Sequence, residues 1–438
     1  MLFGKIFYMI HRTISVRFLR DTIRTCNSLL NRSDFCYNCL MKFRSILFFL
    51  IPLFFISCTD KQTKKEIINH QTQSNFNSYI IENQKIHQSK LTDYIKNMPL
   101  ENKVAQLFIE NLEGNTKFRT YENMKAITDK DDDEERPLVA GGYLFFSYNI
   151  ADSVQAQKDF NNSINDFCRQ NKIIPPYLAV DQEGGWVSRL KKLNTKLPSN
   201  QDVAKNNSIA QSYEIYREQA QQMQSMGFHM NLAPVIEVCT PDNEDFLDGR
   251  SFGSFEQVLN YGRACVNAYE NNQIATVVKH FPGNTNTDPH TGLPEIKLSE
   301  ADLKESVRSF EEILKYNPSA ILMSHARTSA IDPGVPACLS KVWVTDILRN
   351  TYKYQGIIFS DDIFMGALAD NGYPPEKAAL MAIDAGVDCI MISEKRFGKA
   401  ARVIYKKAQE DSDFAKKIDQ ALLRILEYKE KAGLFVLE

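Results

Sequence analysis

The stretch Val277–Pro294, VVKHFPGNTNTDPHTGLP, gathers several residue types that can do chemistry. A short apolar run ends in the adjacent pair Lys279 and His280, and a Pro-Gly break follows at Pro282 and Gly283. A polar loop then carries Asp288 and His290 two residues apart. Lysine and histidine can donate to ligand hydroxyls, and histidine can also exchange a proton near neutral pH. A strand that ends in charged groups and runs into a long polar loop is where α/β barrels keep their chemistry. A metal site from His280, Asp288 and His290 is the competing reading, but the spacing lacks the i, i+4 pair of a helical zinc motif.

Charged groups recur at the ends of other apolar runs. Asp181-Gln182-Glu183-Gly184-Gly185 follows one, with Arg189 shortly after. Asn231, Glu237 and Arg250-Ser251-Phe252-Gly253 follow the next. Ser324-His325 and Ser360-Asp361-Asp362 close two more. One such residue is most simply a structural ion pair; several at successive strand ends would converge on one mouth.

The elements that must position them read as alternating strands and helices. Candidate strands are Ala105–Ile109, Gly142–Phe146, Tyr177–Val180, Met230–Val235, Thr276–Lys279, Ala320–Ser324, Gly356–Phe359 and Cys389–Ile392. Between them, Ile209, Tyr213, Tyr216, Ala220 and Met223 recur at helical spacing, closed by Gly227. Ser299, with Asp302 three residues on, opens a second helix, and Phe160, Ile164, Phe167 and Cys168 mark a third. Eight such alternations predict an α/β fold, a single (β/α)8 TIM barrel. A doubly wound sheet is the alternative, but no GxGxxG turn follows the first strand. The acidic run Asp131–Glu135 is expected to be an exposed loop.

Composition is that of a globular protein: 438 residues, 43% hydrophobic, 24% charged, formal charge −2. Near-neutral charge gives no reason to expect nucleic acid. Cys36-Tyr-Asn-Cys39 has no second pair downstream, so it is weak as a zinc motif. Cys168, Cys239, Cys265, Cys338 and Cys389 lie mostly in apolar surroundings and are expected in the core.

The N-terminal portion reads as an address. Met41-Lys42-Phe43-Arg44 is basic and Ile46–Ile56 is apolar, too short for a bilayer of roughly 30 Å but suited to a signal peptide. Phe55-Ile56-Ser57-Cys58 resembles a bacterial lipobox, which implies cleavage before Cys58 and lipidation of its thiol. A signal anchor is the plainer alternative. Residues 1–40 are expected to be a mis-assigned gene start, 41–57 the signal, 58–90 a polar tether and 91–438 the catalytic domain. The expected location is extracytoplasmic, on a bacterial membrane, held only through Cys58.

Six blocks occur in order: AVDQEGGWVSRL (Ala179–Leu190), NLAPVIEV (Asn231–Val238), GRSFG (Gly249–Gly253), KHFPG (Lys279–Gly283), DPH (Asp288–His290) and GIIFSDDIFMGAL (Gly356–Leu368). Together they resemble the N-terminal barrel of glycoside hydrolase family 3, in its β-N-acetylglucosaminidase (beta-hexosaminidase) branch. The resemblance implies a retaining glycosidase with Asp361 as nucleophile, His290 as acid/base and Asp288 orienting His290. It implies sugar contacts from Asp181, Arg189, Arg250, Lys279 and His280, an oligosaccharide substrate, no metal or cofactor, and a monomer. The sequence ends where many members add a second domain that supplies an acid/base glutamate, which favours the loop histidine. His325 is expected to support the site, and Asp362 to cap the next helix. Two departures stand out. The loop Asn284–Thr287 is shorter than the pattern, with Pro289 in place of a small residue, and Trp186 stands where arginine is commoner. A phosphorylase and a non-catalytic sugar-binding lipoprotein are the alternative functions.

Overall fold

The computed structural model describes residues 82–288 and 292–437. The gene-start, signal and lipidation readings, including Cys58, lie outside the described residues, as do Pro289 and His290. Residues from Gln84 onward form one compact unit. Among the described residues no helix is long and apolar enough to cross a membrane.

Eight parallel strands make up the main sheet: β1 (Phe108–Asn111), β2 (Gly142–Phe145), β3 (Tyr177–Val180), β4 (Met230–Asn231), β5 (Ala275–Phe281), β6 (Ala320–Met323), β7 (Ile357–Phe359) and β8 (Ile390–Met391). Each pairs with its sequence neighbour, β8 also pairs with β1, and a parallel bridge from Phe359 to Cys389 joins β7 to β8. The sheet thus closes on itself as a (β/α)8 barrel. Every residue of these strands is buried, which is why they read as apolar runs rather than alternations. The helix after Ser299 begins where its cap predicts, and a second outer helix starts in the same way. Ser208 caps Ile209–Ser225 with a reciprocal Gln211 bond, and Ser299 caps Glu300–Ser306. Cys168, Cys265, Cys338 and Cys389 are buried free thiols; Cys239 is half-buried.

Three expectations need correction. Ala105 and Gln106 end the helix Leu100–Gln106, and the first strand starts only at Phe108, because a short apolar run carries no period that separates helix from strand. The fourth strand pairs at Met230–Asn231 and then only through a bridge at Val235, since Pro234 has no N–H to give the ladder. The acidic run is not all solvated. Asp131–Asp133 forms a turn of 3-10 helix, and Asp133 is buried, accepting from Thr128 and Arg136.

Candidate active site

The site forms where the C-terminal ends of β3 to β7 meet. Immediately after β3 the chain makes a tight antiparallel hairpin, Gln182–Gly184 with Val187–Ser188. Gly184 has φ +104°, and a Cβ there would lie 2.1 Å from the carbonyl oxygen of Pro198, so only glycine fits. Asn231 of β4 exchanges two 3.0 Å bonds with the backbone of Gln182, which locks the hairpin to the barrel. Asp181 and Glu183, two residues apart on extended chain, both face Lys279.

Four charges balance there. Lys279 Nζ lies 2.8 Å from Asp181 Oδ1 and 2.6 Å from Glu183 Oε1. Arg250 grips the same Glu183 carboxylate with Nε at 2.8 Å and Nη2 at 2.9 Å, a bidentate pair. Burial alone would raise the Glu183 pKa, but Arg250 and Lys279 outweigh it and hold the carboxyl well below its usual range. Burial also opposes the Lys279 charge, and Asp181 with Glu183 overcomes it, so that ammonium stays protonated.

His280 has a defined tautomer. Its Nε2 lies 3.4 Å from Arg250 Nη2, which can only donate, so Nε2 accepts and Nδ1 carries the proton. Nδ1 then donates to Glu237 Oε1 at 2.7 Å. Glu237 also accepts from the backbone N–H of Asn284 at 2.7 Å, so one carboxylate fixes both the histidine and the root of the following loop. Farther along, Asn286 accepts from the N–H groups of Asp245 and Phe246 and donates to the carbonyl of Pro241. The shortened stretch Asn284–Thr287 is therefore riveted at two asparagines before the chain reaches Asp288.

Across the mouth, Asp361 follows β7 with its side chain 15% exposed. Oδ1 accepts the backbone N–H of Asp362 at 2.9 Å, and Oδ2 lies 3.9 Å from Nε2 of the fully buried His325. That Nε2 is 3.0 Å from the Asp362 carbonyl, so it faces only acceptors and must bear the proton. Nδ1 of His325 is left to accept from the thiol of Cys338 at 3.3 Å. Burial pushes that thiol up, which keeps it a donor. Asp362 turns away, its Oδ1 accepting from the N–H groups of Phe364 and Ser393. It braces the turn and the end of β8, whereas the next helix begins at Gly366 behind Met365. The expected helix cap is thus a cross-strand brace.

Arg189 is half-buried, with its guanidinium 6.0 Å from the Phe146 ring. Its Nε is buried and has no hydrogen-bond partner among the described residues. Sequence reasoning passed over Glu183 and Glu237 as site residues. The D-x-E alternation at Asp181 and Glu183 was the available signal for the first, and the place of Glu237 after an apolar run marked the second without assigning it a role. Among the described residues no group of three or more His, Cys, Asp or Glu side chains is arranged to hold a metal ion.

Known proteins resemble the chain as follows. The family model described as Glycosyl hydrolase family 3 N terminal domain matches residues 99–428. Beta-hexosaminidase A of Pseudoalteromonas piscicida is 29% identical over 282 residues, 58% of this chain but 45% of that protein, so the chain spans under half its length. A Beta-hexosaminidase of Actinobacillus pleuropneumoniae is 31% identical over 274 residues, 60% of this chain and 76% of the relative. The crystal structure of a Beta-N-acetylhexosaminidase from Beutenbergia cavernae superposes with a TM-score of 0.66 at 25% identity, covering 76% of this chain and 99% of that one.

Proposed function

This chain belongs to glycoside hydrolase family 3, and from that premise we propose that it removes terminal non-reducing β-linked N-acetylglucosamine with retention of configuration. Peptidoglycan fragments or chitin-type oligosaccharides are the substrate class. Asp361 attacks the anomeric carbon to form a glycosyl-enzyme, and His290, oriented by Asp288, protonates the leaving oxygen and then deprotonates water. Asp181 and Lys279 hold ring hydroxyls, and Arg189 and Arg250 reach the sugar's oxygens, the acetamido carbonyl among them.

The observation that carries this reading is the pairing of one lightly exposed carboxylate, Asp361, with a balanced cluster at the same end of the barrel. One oxygen of Asp361 accepts the backbone N–H of Asp362, and the other lies 3.9 Å from Nε2 of His325. The named activities of the relatives support the same choice of sugar.

The test is turnover of aryl β-N-acetylglucosaminide and aryl β-glucoside, with and without phosphate, followed by NMR of the first-formed anomer. The expected result is phosphate-independent release of the β-anomer from the N-acetyl substrate, lost in Asp361→Ala. His290→Ala should lower turnover of a poor leaving group by about 10²–10⁴-fold. An α-anomer product, or full activity in Asp361→Ala, overturns the mechanism; strict phosphate dependence makes it a phosphorylase.

The proposal includes attachment to a bacterial membrane through lipid on Cys58, on the extracytoplasmic side, supported by the Phe55–Cys58 pattern after the apolar run. Cys58→Ala should move the protein from the membrane to the soluble fraction. An unmodified Cys58 in the mature protein would sink this part of the reading.

A further inference from the structure

We propose that Trp186 is the platform of an aglycone subsite, on which the sugar ring on the reducing side of the scissile bond stacks. The inference rests on the glycosidase reading above and adds where the leaving half of the substrate lies.

Trp186 occupies the tip of the hairpin that follows β3 and is 60% exposed, whereas the other tryptophan, Trp343, is 1% exposed in the core. An indole left this exposed gains little from burial, yet it is held firmly. Its Nε1–H donates to the carbonyl of Asp248 at 3.1 Å. The Arg250 guanidinium lies 5.8 Å from its ring centroid and 5.3 Å from that of Phe246. The hydrogen-bonding need of the indole is met, and the remaining exposed surface is apolar. β-Linked pyranoses present their axial C–H groups on a ring face, and an immobilised aromatic plane at a polar mouth is the complementary surface.

The neighbours of Trp186 say which side of the bond it serves. Arg250 ties it to the sugar-gripping cluster, because the same guanidinium holds Glu183 inside the Trp186 hairpin. Asp248, which fixes the indole, ends the helix Glu244–Leu247. The N–H groups of Asp245 and Phe246 in that segment bind Asn286, two residues before Asp288. The segment 241–248 is therefore one scaffold for both the exposed indole and the loop that leads to Asp288-Pro289-His290. The proton donor proposed above follows Asp288 in the sequence and must stand beside the leaving oxygen, so we assign a platform built on the segment that roots this loop to the aglycone side.

The test uses the full chain and two substrates with the same N-acetylglucosaminyl group: chitobiose, whose aglycone is a sugar, and the glycosyl azide, whose aglycone has no ring. In Trp186→Ala the ratio of kcat/KM for chitobiose to that for the azide should fall about tenfold, and Trp186→Phe should restore most of it. An equal fall for both substrates means that Trp186 acts only through Arg250, and overturns the proposal; so does an unchanged ratio. If the wild-type protein hydrolyses neither, the glycosidase reading fails and the subsite is judged by fluorescence alone. Trp343 is buried, so acrylamide quenching reports on Trp186. Protection by chitotriose and not by free N-acetylglucosamine supports the platform. Quenching unaffected by chitotriose overturns it.

Discussion

Lys279 and Lys429 are both buried lysines of one barrel, and they live in opposite electrostatic worlds. Lys279 sits at the C-terminal mouth between Asp181 and Glu183 and is held charged. Lys429 sits at the other end, on the helix Ser412–Lys431, where its Nζ meets Gln106 Oε1 at 2.5 Å and the Pro175 carbonyl at 2.8 Å. Those partners carry no formal charge, and burial brings its pKa down to about 7, with Cys168 and Cys389 only partly opposing. Burial works against the charge in both cases; the partner decides the outcome. The mouth keeps fixed charges ready for a polar substrate, and the base is sealed with dipoles. This matches the division in barrels between a chemical end and a stabilising end.

The contrast can be broken in graded steps. The largest effect is expected for Glu183→Gln, which strands the buried Arg250 guanidinium and leaves Lys279 with Asp181 alone. Stability to urea should fall by about 3–5 kcal/mol, and turnover should disappear. Glu183 has a depressed folded pKa, so its stabilisation is present above the unfolded value of 4.5 and is lost as pH falls below it toward the folded value. Acid sensitivity in that range should shrink in the glutamine variant. A loss under ~1 kcal/mol would show that the cluster is a surface-like pair after all.

Lys279→Met leaves Glu183 with Arg250 and should therefore unfold more easily by a smaller margin. If Lys279 is the charged sugar donor proposed above, its kcat/KM should drop by roughly 10–10²-fold. Retained kcat/KM would remove Lys279 from the binding set.

Lys429→Met should leave kcat/KM unchanged and alter only the pH profile of stability. The folded pKa of about 7 lies below the unfolded 10.5, so the unfolded chain binds the extra proton between them. Wild-type stability therefore gains from this group as pH rises from about 7 to 10.5, and the difference curve between wild type and variant should show that rise. A flat difference curve would mean that Lys429 is charged in the fold.

The smallest effect separates neutral partners. Cys338→Ser keeps a donor for Nδ1 of His325 and should be nearly silent, whereas Cys338→Val should cost about 1–3 kcal/mol by leaving that buried nitrogen unpaired. Equal behaviour of the two variants would show that the thiol contributes packing alone.

Much of the scaffold was legible. Tyr177–Val180 is a strand from first to last residue as read, and the Ser299 start follows from short-range capping chemistry. The charged strand ends at Asp181, Lys279 and Asp361 were also legible, because composition changes abruptly there. What failed were places where local signals were ambiguous or outvoted. Ala105 went to a helix, Pro234 broke a ladder, and Asp133 found Arg136 and became buried. Glu183 and Glu237 could not be recognised as organisers, because Arg250 is 67 residues from the first and His280 is 43 from the second.

By itself the sequence determined the eight strands, the family blocks and the residue types gathered at one end of the barrel. Those properties follow from hydrophobic period, turn residues and caps, which act over a few residues. Only the tertiary structure decided which lysine keeps its charge, which nitrogen of His280 and His325 bears the proton, and which of Asp361 and Asp362 meets the mouth. It also decided that Trp186 stands exposed on the same segment, 241–248, that holds Asn286. Burial and distance set these outcomes, and both arise only when segments far apart in the chain are brought within a few ångströms.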